Sequence, residues 1–431
     1  MPKINKLTVL GGGSTYTPEL LGGLIERQDT LTVETVSLYD IHAERLDIVG
    51  GLIQRMFQRV SLLTRIELTQ SLQQAIEGAD FIVSQIRVGW MAARILDEHI
   101  PLSHNVLGQE TVGAGGIFKA QRTIPVTLHF AQEVSRLAPN AWFLNFTNPS
   151  GMITEALLRY SPLQRVVGLC NVPINSQRAV ASLLKVAPEQ VWLDWVGLNH
   201  LGWICKAEVD GKDYLPQILD ELSHPSANKT HQHFPFRGEL LQTLQLLPTY
   251  YLRYYYATPQ VVEEFRKSGK TRGEVVAEIE QTLLAKYRDP RLDTKPAELS
   301  QRGGALYSEA ALRLMHSLLT DQRDVQILIV RNAGAIPDLP QEVAVEVPAV
   351  VGAHGVTPLS RGSTPLPIKP LLEAVKTSEM LAIEAAVSGS RQKLIQALWA
   401  NPLVPSFDMA EKLTDELLQA HRQYLPQYFA S

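Results

Sequence analysis

The sequence lacks several features that define particular classes of protein. Among its 431 residues only two are cysteines, Cys170 and Cys205, so no disulfide framework is expected. No stretch of about 18 apolar residues predicts a membrane-spanning helix. The formal net charge of −4 offers no basic surface for nucleic acid, and the first residues form a strand pattern rather than a signal peptide. We therefore expect a cytoplasmic protein without a membrane or nucleic-acid partner.

Three consecutive glycines near the start of the chain are typical of a dinucleotide site. A short apolar strand pattern precedes them, and a helix pattern follows. Glycines let the backbone approach a pyrophosphate, whose charge is favoured at a helix N-terminus. The next strand pattern ends in Asp40, and a carboxylate there suits the ribose hydroxyls of NAD. The predicted NAD-binding residues are Gly11, Gly12, Gly13, Ser14, Thr15 and Asp40.

The glycine turn departs from the usual dinucleotide fingerprint in two ways. Tyr16 occupies the place of the third glycine in GxGxxG. Asp40 follows Gly13 by 27 residues, where the fingerprint has about 20. A glycine-rich turn without a nucleotide is the alternative interpretation. The position of the turn inside a strand–helix–strand unit favours the dinucleotide site.

Strand and helix patterns alternate through the first part of the chain. Six apolar strand patterns separated by helix patterns predict a doubly wound parallel sheet of the Rossmann type over residues 1–174. Residues 175–431 mix alternating strands with helices, one of them predicted around 248–268, and suggest an α+β substrate domain. The expected fold class is α/β, with the architecture of lactate and malate dehydrogenases. Ligands of such sheets bind beyond the carboxyl ends of the strands.

A cysteine and a histidine follow two of these strand patterns. Cys170 comes at the end of the sixth strand, and His200 ends a later apolar run. Thiolate and imidazole suit a soft or borderline divalent metal, and a catalytic metal site leaves positions open for substrate. Because two residues form a weak motif, a buried structural cysteine and an ordinary packed histidine remain alternatives.

Other polar residues fall at the same predicted edge. Asn148 lies in an NFTNP turn, where its amide suits a sugar hydroxyl or the cofactor; a turn before a cis proline is the alternative. Residues 110–116 form a glycine-rich loop that either closes over a ligand or connects two helices. Arg94 and Arg272 suit a phosphate, with a solvated surface charge as the alternative.

The segment PTYYLRYYY is unusually rich in tyrosine. Aromatic residues at helical spacing usually form core or interface. A tyrosine close to a metal and a cationic cofactor can instead have a lowered pKa and act as a base.

Taken in order, these motifs resemble glycoside hydrolase family 4, the NAD- and manganese-dependent glycosidases. The resemblance covers about two-thirds of the chain and rests on the segments GGGSTYTP, IRVGWMAARILDEHIP, GQETVGAGGI, NFTNPS, CNVP, LNHLG, YLRYYY and TRGE. By matching motifs it implies Cys170 and His200 as metal ligands and Tyr251 as the base. The implied substrate contacts, with the arginines at a 6-phosphate, are Arg94, Asn148 and Arg272.

One departure from the family pattern concerns the proton donor. The α-specific members carry an aspartate after the metal cysteine, whereas this chain has Asn171. An amide cannot donate a proton as a carboxylic acid does. The departure resembles the 6-phospho-β-glucosidase branch, in which the leaving group is protonated through water or leaves unaided. Asn171 is therefore expected in the catalytic site as a substrate contact, and the proton donor stays open.

The resemblance implies hydrolysis by a redox route. NAD⁺ takes hydride from C3 of the sugar, the metal polarises the ketone, and Tyr251 removes the C2 proton. The C1 leaving group departs, water adds, and hydride returns to C3. Expected substrates are 6-phosphorylated disaccharides or aryl β-glucosides, and a homo-oligomer, dimer or tetramer, is expected. The alternatives are a 6-phospho-α-glucosidase or another family 4 glycosidase, a 2-hydroxy-acid dehydrogenase, and a non-catalytic NAD sensor.

Overall fold

A nine-stranded sheet forms the centre of the computed structural model, which describes residues 1–224, 232–302 and 306–429. The first six strands are β1 (Lys3–Leu10), β2 (Thr32–Tyr39), β3 (Arg65–Thr69), β4 (Phe81–Ser84), β5 (Trp142–Asn145) and β6 (Val166–Gly168). They are mutually parallel and lie in the order β6-β5-β4-β1-β2-β3. This is the doubly wound order, so the predicted fold class is confirmed.

Helices cover both faces of this sheet. They are α1 (Thr17–Glu26), α2 (Ala43–Arg59), α3 (Leu72–Ile76), α4 (Trp90–Ser103), α5 (Gly113–Leu137), α6 (Ser150–Tyr160) and α7 (Val172–Leu184). Successive strand residues point to opposite faces, so Val9 and Val83 belong to one apolar cluster and Leu10 and Ile82 to the other. Burial on both faces explains why these strands appear in the sequence as continuous apolar runs.

The C-terminal ends of β1, β4, β5 and β6 lie in one row. Leu10 of β1 pairs with Ser84 of β4, Ser84 pairs with Asn145 of β5, and Asn145 pairs with Gly168 of β6. The segments that leave these four strands therefore begin side by side at the carboxyl edge of the sheet.

A second, smaller sheet holds the next strands. The antiparallel hairpin of β7 (Val191–Leu198) and β8 (Leu201–Val209) carries β9 (Lys212–Asp213) and β10 (Leu247–Pro248) on β8. The predicted alternation of this stretch is confirmed. Asn199 and His200 form the hairpin turn, and His200 has a positive φ of 64°. The hairpin thus fixes the histidine at its tip.

In the ranges that the structure describes, the rest of the chain consists of helices, three strands and the loops that connect them. The helices are α8 (Leu215–Ser223), α9 (Gly238–Leu244), α10 (Arg253–Tyr256), α11 (Thr258–Lys267), α12 (Arg272–Tyr287), α13 (Tyr307–Thr320), α14 (Lys369–Ser388), α15 (Arg391–Ala400) and α16 (Phe407–Ala420). No helix in the described ranges has the length and apolar character needed to cross a membrane.

The last three strands extend the large sheet. β11 (Asp324–Arg331) pairs antiparallel with β6, and β12 (Ala344–Gly352) and β13 (Gly355–Pro358) continue beyond it. Part of the predicted α+β region is thus continuous with the N-terminal sheet rather than laid against it. The division of the chain after residue 174 stays a prediction.

The helical stretch predicted around 248–268 is confirmed over most of its length, but it is not one continuous helix. This stretch begins with β10, continues as a 3₁₀ turn over Tyr250–Leu252 and a short α10, and breaks at Ala257 before α11. Pro259 stands in the first turn of α11. Proline lacks an N–H and fits a helix start rather than a helix interior, which explains the break.

The loop predicted over residues 110–116 is largely the start of a helix. Gly113 begins α5, and the first turn of this helix is buried. A Cβ on Gly115 would lie 2.3 Å from the carbonyl oxygen of Gln109 and 2.6 Å from that of Asp97. The glycines therefore allow α5 to pack closely against α4, and the interpretation as a flexible closing loop is wrong.

Candidate active site

A cavity of about 760 Å³ opens at the carboxyl edge of the large sheet. Its lining includes nine of the predicted site residues: Gly11, Ser14, Asp40, Arg94, Asn148, Asn171, His200, Tyr251 and Arg272. Four further predicted residues do not line it: Gly12, Gly13, Thr15 and Cys170. Residues from both halves of the chain thus meet around one space that is large enough for a ligand.

The glycine turn is held by internal hydrogen bonds. The backbone amides of Gly11 and Gly12 both donate to the carbonyl oxygen of Tyr39, at 2.9 and 2.8 Å. The amide of Gly13 donates to Asp40 Oδ2 at 2.9 Å. A Cβ on Gly12 would lie 2.8 Å from Leu38 Cβ, so glycine is required for the turn to pack on β2. The predicted approach of these glycines to a pyrophosphate stays a prediction.

Asp40 lies where a nucleotide ribose is expected. Its Oδ1 accepts the amide of His42 at 3.0 Å, and each carboxylate oxygen keeps acceptor capacity for a hydroxyl. Arg45, which the sequence interpretation missed, lines the cavity beside it and lies 4.7 Å above the ring of Trp90. A carboxylate acceptor next to an aromatic and cationic wall fits NAD.

Cys170 and His200 form the candidate metal pair. The Cys170 sulfur lies 3.6 Å from His200 Nε2, and both side chains are buried. Burial lowers the pKa of His200 to about 3, which keeps the imidazole neutral, the form that binds metals. Burial raises the pKa of the Cys170 thiol to about 12.

The donor set fits a metal that shares its coordination with substrate. Within the described ranges, no group of three or more histidine, cysteine, aspartate or glutamate side chains is arranged to hold a metal ion. The chain therefore offers one sulfur and one nitrogen ligand. An open site of this kind suits catalysis rather than structure.

Tyr251 lies directly against this pair. Its ring stacks on the His200 ring, with centroids 3.8 Å apart and planes within 2°. Tyr250 and Tyr254 contact Tyr251 edge-on. Burial, followed by the neighbouring Tyr254 and Cys170, raises the pKa of Tyr251 well above its ordinary value. The phenol is thus placed at the candidate metal site, and nearby positive charge would be needed to make it a base.

A buried ion cluster forms one wall of the cavity. Glu110 Oε1 accepts from Arg94 at 2.9 Å, and Oε2 accepts from Lys119 at 2.7 Å and from Arg87. Burial alone would raise the pKa of Glu110, but these three cations hold it well below its ordinary value. Arg94 also donates to Glu98 at 2.8 Å. The cations are therefore fixed in the wall rather than solvated.

Arg272 extends this positive wall from the start of α12. It lines the cavity, is exposed, and donates to the carbonyl oxygen of Gln301 at 2.8 Å. Burial and the neighbouring Arg94 lower its pKa. The adjacent amide of Gly273 donates to Glu98 Oε2 at 2.7 Å, which ties α12 to α4. The guanidinium groups of Arg94 and Arg272 would favour a bound anion, because both can donate charge-assisted hydrogen bonds to it.

Two amides and an aromatic stack complete the lining. Asn148 precedes a cis peptide bond to Pro149, as one interpretation of the sequence expected, and accepts the Ser150 amide at 3.3 Å. Asn171 follows Cys170 at the start of α7. Tyr307, which no sequence motif indicated, stacks on Phe146 with ring centroids 4.5 Å apart.

Family comparisons cover most of the chain. A model described as family 4 glycosyl hydrolase matches residues 6–186, and a model of the C-terminal domain of that family matches residues 195–404. A probable 6-phospho-beta-glucosidase of Bacillus subtilis (strain 168) is 43% identical over 100% of this chain and 99% of the relative. A 6-phospho-beta-glucosidase of Escherichia coli (strain K12) is 38% identical over 98% and 96%.

Solved structures agree with these matches. The 6-phospho-beta glucosidase from Thermotoga maritima with NAD and glucose-6-phosphate has a TM-score of 0.90 and 34% identity, over 97% of this chain and 99% of that one. Another structure of that enzyme also holds manganese. Lactate dehydrogenase from Eimeria maxima has a TM-score of 0.54 at 15% identity, over 89% and 96%, a likeness of fold alone.

We predict that Cys170→Ser weakens Mn²⁺ binding by more than about 100-fold and leaves the fold intact. A hydroxyl is a poorer ligand than a thiolate for a borderline cation, and loss of a direct ligand should exceed the 10- to 100-fold cost of outer-shell changes. Titration followed by the electron paramagnetic resonance signal of free Mn²⁺ measures this. Cys205→Ser is the matched control, because Cys205 is free, half-buried and outside the cavity lining. Equal affinity in both variants would remove Cys170 from the site.

Proposed function

Because this chain belongs to family 4 of the glycosyl hydrolases, we propose that it hydrolyses 6-phospho-β-glucosides with the help of NAD and a divalent metal ion. The observation that carries the proposal is a cavity lined by His200, Tyr251 and the positive wall with Arg94, while the Cys170 sulfur lies 3.6 Å from His200 Nε2. The relatives that are 43% and 38% identical bear the name of this activity.

The positive wall supports a phosphorylated substrate. Arg94 and Arg272 both line the cavity, and Arg94 contacts Glu98 and Glu110, which also pairs with Arg87 and Lys119. A phosphate would find charged donors here, because guanidinium groups bind phosphate by paired hydrogen bonds. We assign Arg94 and Arg272 to the 6-phosphate of the sugar.

The cofactors have matching places in the cavity wall. Asp40 and the glycine turn would hold NAD, and Cys170 and His200 would hold the metal, with manganese as the ion seen in a related structure. When bound, NAD supplies a hydride acceptor at the sugar and the metal supplies a Lewis acid for the neighbouring carbonyl.

Tyr251 is the proposed base that removes the C2 proton. It lies against the metal pair, so a bound cation and the Tyr251 oxygen would act on adjacent atoms of one sugar. The cation also opposes the effect of burial on the phenol, because positive charge favours the phenolate. Asn148 is assigned to a sugar hydroxyl, since its amide lines the cavity at the end of β5.

The β preference follows from Asn171 together with the comparisons. Asn171 lines the cavity next to the metal cysteine, where an amide cannot serve as a general acid. A 6-phospho-alpha-glucosidase of Leptotrichia buccalis is also related, but at 29% identity over 97% of this chain and 98% of that one. The α activity is therefore the second candidate. The alternative of a 2-hydroxy-acid dehydrogenase rests on fold alone.

Three expectations from the sequence stay predictions. Two of them are a homo-oligomer, dimer or tetramer, and a cytoplasmic location. The preference among disaccharide and aryl aglycones is the third.

We predict that p-nitrophenyl β-glucoside 6-phosphate releases p-nitrophenol only when both NAD⁺ and Mn²⁺ are present, with no net NADH. Its kcat/KM should exceed that of the unphosphorylated glucoside by at least about 30-fold, equivalent to about 2 kcal/mol for a desolvated charge contact. The α anomer is the matched comparison. Faster hydrolysis of the α anomer would reverse the assigned specificity, and equal rates with and without phosphate would contradict the role of the arginines.

A second prediction concerns Tyr251→Phe. The change keeps the ring that stacks on His200 and deletes only the oxygen. Aglycone release should fall by at least about 100-fold, the range that general-base catalysis contributes, while NAD⁺ and Mn²⁺ affinities measured by calorimetry stay at wild-type values. Tyr255→Phe is the control, since Tyr255 is a neighbour in the same segment but does not line the cavity. Full activity in Tyr251→Phe would move the base to another group, with Tyr250 and Tyr254 next in line.

A further inference from the structure

The segment that follows α16 returns to the cavity at the carboxyl edge of the large sheet. Tyr424 in this segment is half-buried and lines that cavity. A Cβ on Gly89 would lie 3.1 Å from Tyr424 Cε2, so the Tyr424 ring rests on the backbone between β4 and α4. The segment lies beyond residue 404, where the match to the family models ends. Tyr424 is therefore a cavity residue that the family match does not cover.

Contacts at both ends fix this segment in place. His421 is fully buried, and its Nε2 lies 2.9 Å from Asp97 Oδ1 of α4. At the other end, the Tyr428 hydroxyl donates to Gln121 Oε1 of α5 at 2.5 Å. Tyr424 lies between these two anchors, so α4 and α5 together determine its position.

Arg122 of α5 links the same aspartate to the cavity wall. Both Nη atoms of Arg122 donate to the Asp97 carboxylate, and its Nε donates to the carbonyl oxygen of Val88 at 3.0 Å. Arg122 is 1% exposed, and Asp97 is fully buried. Asp97 therefore contacts His421 on one side and, through Arg122, holds the backbone on which Tyr424 rests.

The wall that carries Tyr424 continues to Asp40. Trp90 follows Gly89, and its ring centroid lies 4.5 Å from that of His42. The His42 amide donates to Asp40 Oδ1 at 3.0 Å. A carboxylate at the position of Asp40 is expected to bind the 2′-hydroxyl of the adenosine ribose. Adenine is attached to the neighbouring carbon of that ribose, so the base has to lie close to this wall.

The cavity lining next to Asp40 is apolar and aromatic. Tyr39 and Ile41 flank Asp40 in the chain, and both line the cavity with Val126 and Phe130 of α5. The Phe130 ring meets the Tyr39 ring edge-on, with centroids 6.1 Å apart. Val126 and Phe130 are four residues apart on α5 and share one face of the helix. A flat heteroaromatic base suits these surroundings, because it can bury both its faces on apolar side chains.

We propose that Tyr424 is a cofactor-binding residue that packs against the adenine of NAD, and that the segment of residues 421–429 brings it to the cofactor site. The inference rests on the proposed NAD dependence. It extends the cofactor site from the first strands of the chain to its last described residues. The aromatic ring of Tyr424 supplies the contact, since stacking on an aromatic side chain stabilises any nucleobase.

Calorimetric titration with NAD⁺ and with ADP-ribose tests the proposal. ADP-ribose contains the adenosine half of the cofactor but lacks nicotinamide. Tyr424→Ala should weaken the binding of both ligands by the same factor, about 5- to 150-fold, which is the range of base–aromatic stacking. Tyr424→Phe keeps the ring and should bind both ligands with wild-type affinity. If Tyr424→Ala fails to fold, Tyr424→Leu decides, because leucine keeps an apolar side chain but has no aromatic face.

The matched control is another aromatic residue of the same segment. Phe429 is exposed, lies 4.6 Å from the Arg422 guanidinium carbon and does not line the cavity. Phe429→Ala should leave both affinities at the wild-type value. Equal losses in Phe429→Ala and Tyr424→Ala would mean that the segment has been disturbed as a whole, and would overturn the direct contact.

Fluorine magnetic resonance gives a readout that a purely structural role would not move. In protein labelled with 3-fluorotyrosine, the resonance that disappears in Tyr424→Phe belongs to Tyr424. This resonance should shift when ADP-ribose is added, because the ring current of adenine acts on a ring packed against it. An unshifted resonance at saturating ADP-ribose would contradict the contact.

The outcomes separate this inference from the proposed function. Wild-type affinity for NAD⁺ and ADP-ribose in Tyr424→Ala would overturn the role of Tyr424 and leave the NAD-dependent function intact. A loss for NAD⁺ without a loss for ADP-ribose would overturn it as well, because Tyr424 would then act on the nicotinamide half. Failure of the wild-type protein to bind NAD⁺ would instead overturn the proposed cofactor, and this inference with it.

Discussion

The parallel pairing of four central strands is the constraint on which the site depends. Leu10, Ser84, Asn145 and Gly168 are paired in one row, so each following segment starts at the same level of the sheet. The glycine turn, the asparagine turn and Cys170 are far apart in sequence but become neighbours for this reason. The second sheet then adds His200 from the tip of a hairpin.

Burial sets the chemistry that these neighbours can perform. Burial lowers the pKa of His200, so its imidazole stays neutral and can bind a metal. Burial raises the pKa of the Cys170 thiol and of the Tyr251 phenol, so both tend to stay protonated. A bound cation would lower the pKa of both Cys170 and Tyr251, because a nearby positive charge stabilises the thiolate and the phenolate. In the wall around Glu110, burial lowers the pKa of Lys119 to about 7, while Arg87 and Arg94 pair with the glutamate and hold its pKa well below the ordinary value. Two regions of one cavity thus have distinct electrostatic roles.

The sequence predicts the parts of this arrangement that depend on local pattern. Alternating strand and helix signals give the doubly wound parallel sheet, and the glycine pattern together with the motif resemblance gives nine of the residues that line the cavity. Prediction from the sequence fails where tertiary contacts override the local pattern. The glycines from Gly113 to Gly116 look like a mobile loop, but Gly115 is a glycine because Asp97 of α4 and the carbonyl oxygen of Gln109 lie too close for a Cβ. Arg45 and Tyr307 carry no motif, and only the folded chain places them in the cavity. The sequences of β11 to β13 contain no pattern that indicates which sheet these strands join.

The central claim is that glycoside cleavage proceeds through removal of the C2 proton by a base in this cavity. The most direct measurement is the isotope content of glucose 6-phosphate formed from a 6-phospho-β-glucoside in D₂O, read by mass spectrometry and proton magnetic resonance. The account predicts deuterium at C2 of the product, because the carbon that loses its proton regains one from a base that has exchanged with solvent. Product with only protium at C2 would contradict elimination and the role assigned to Tyr251.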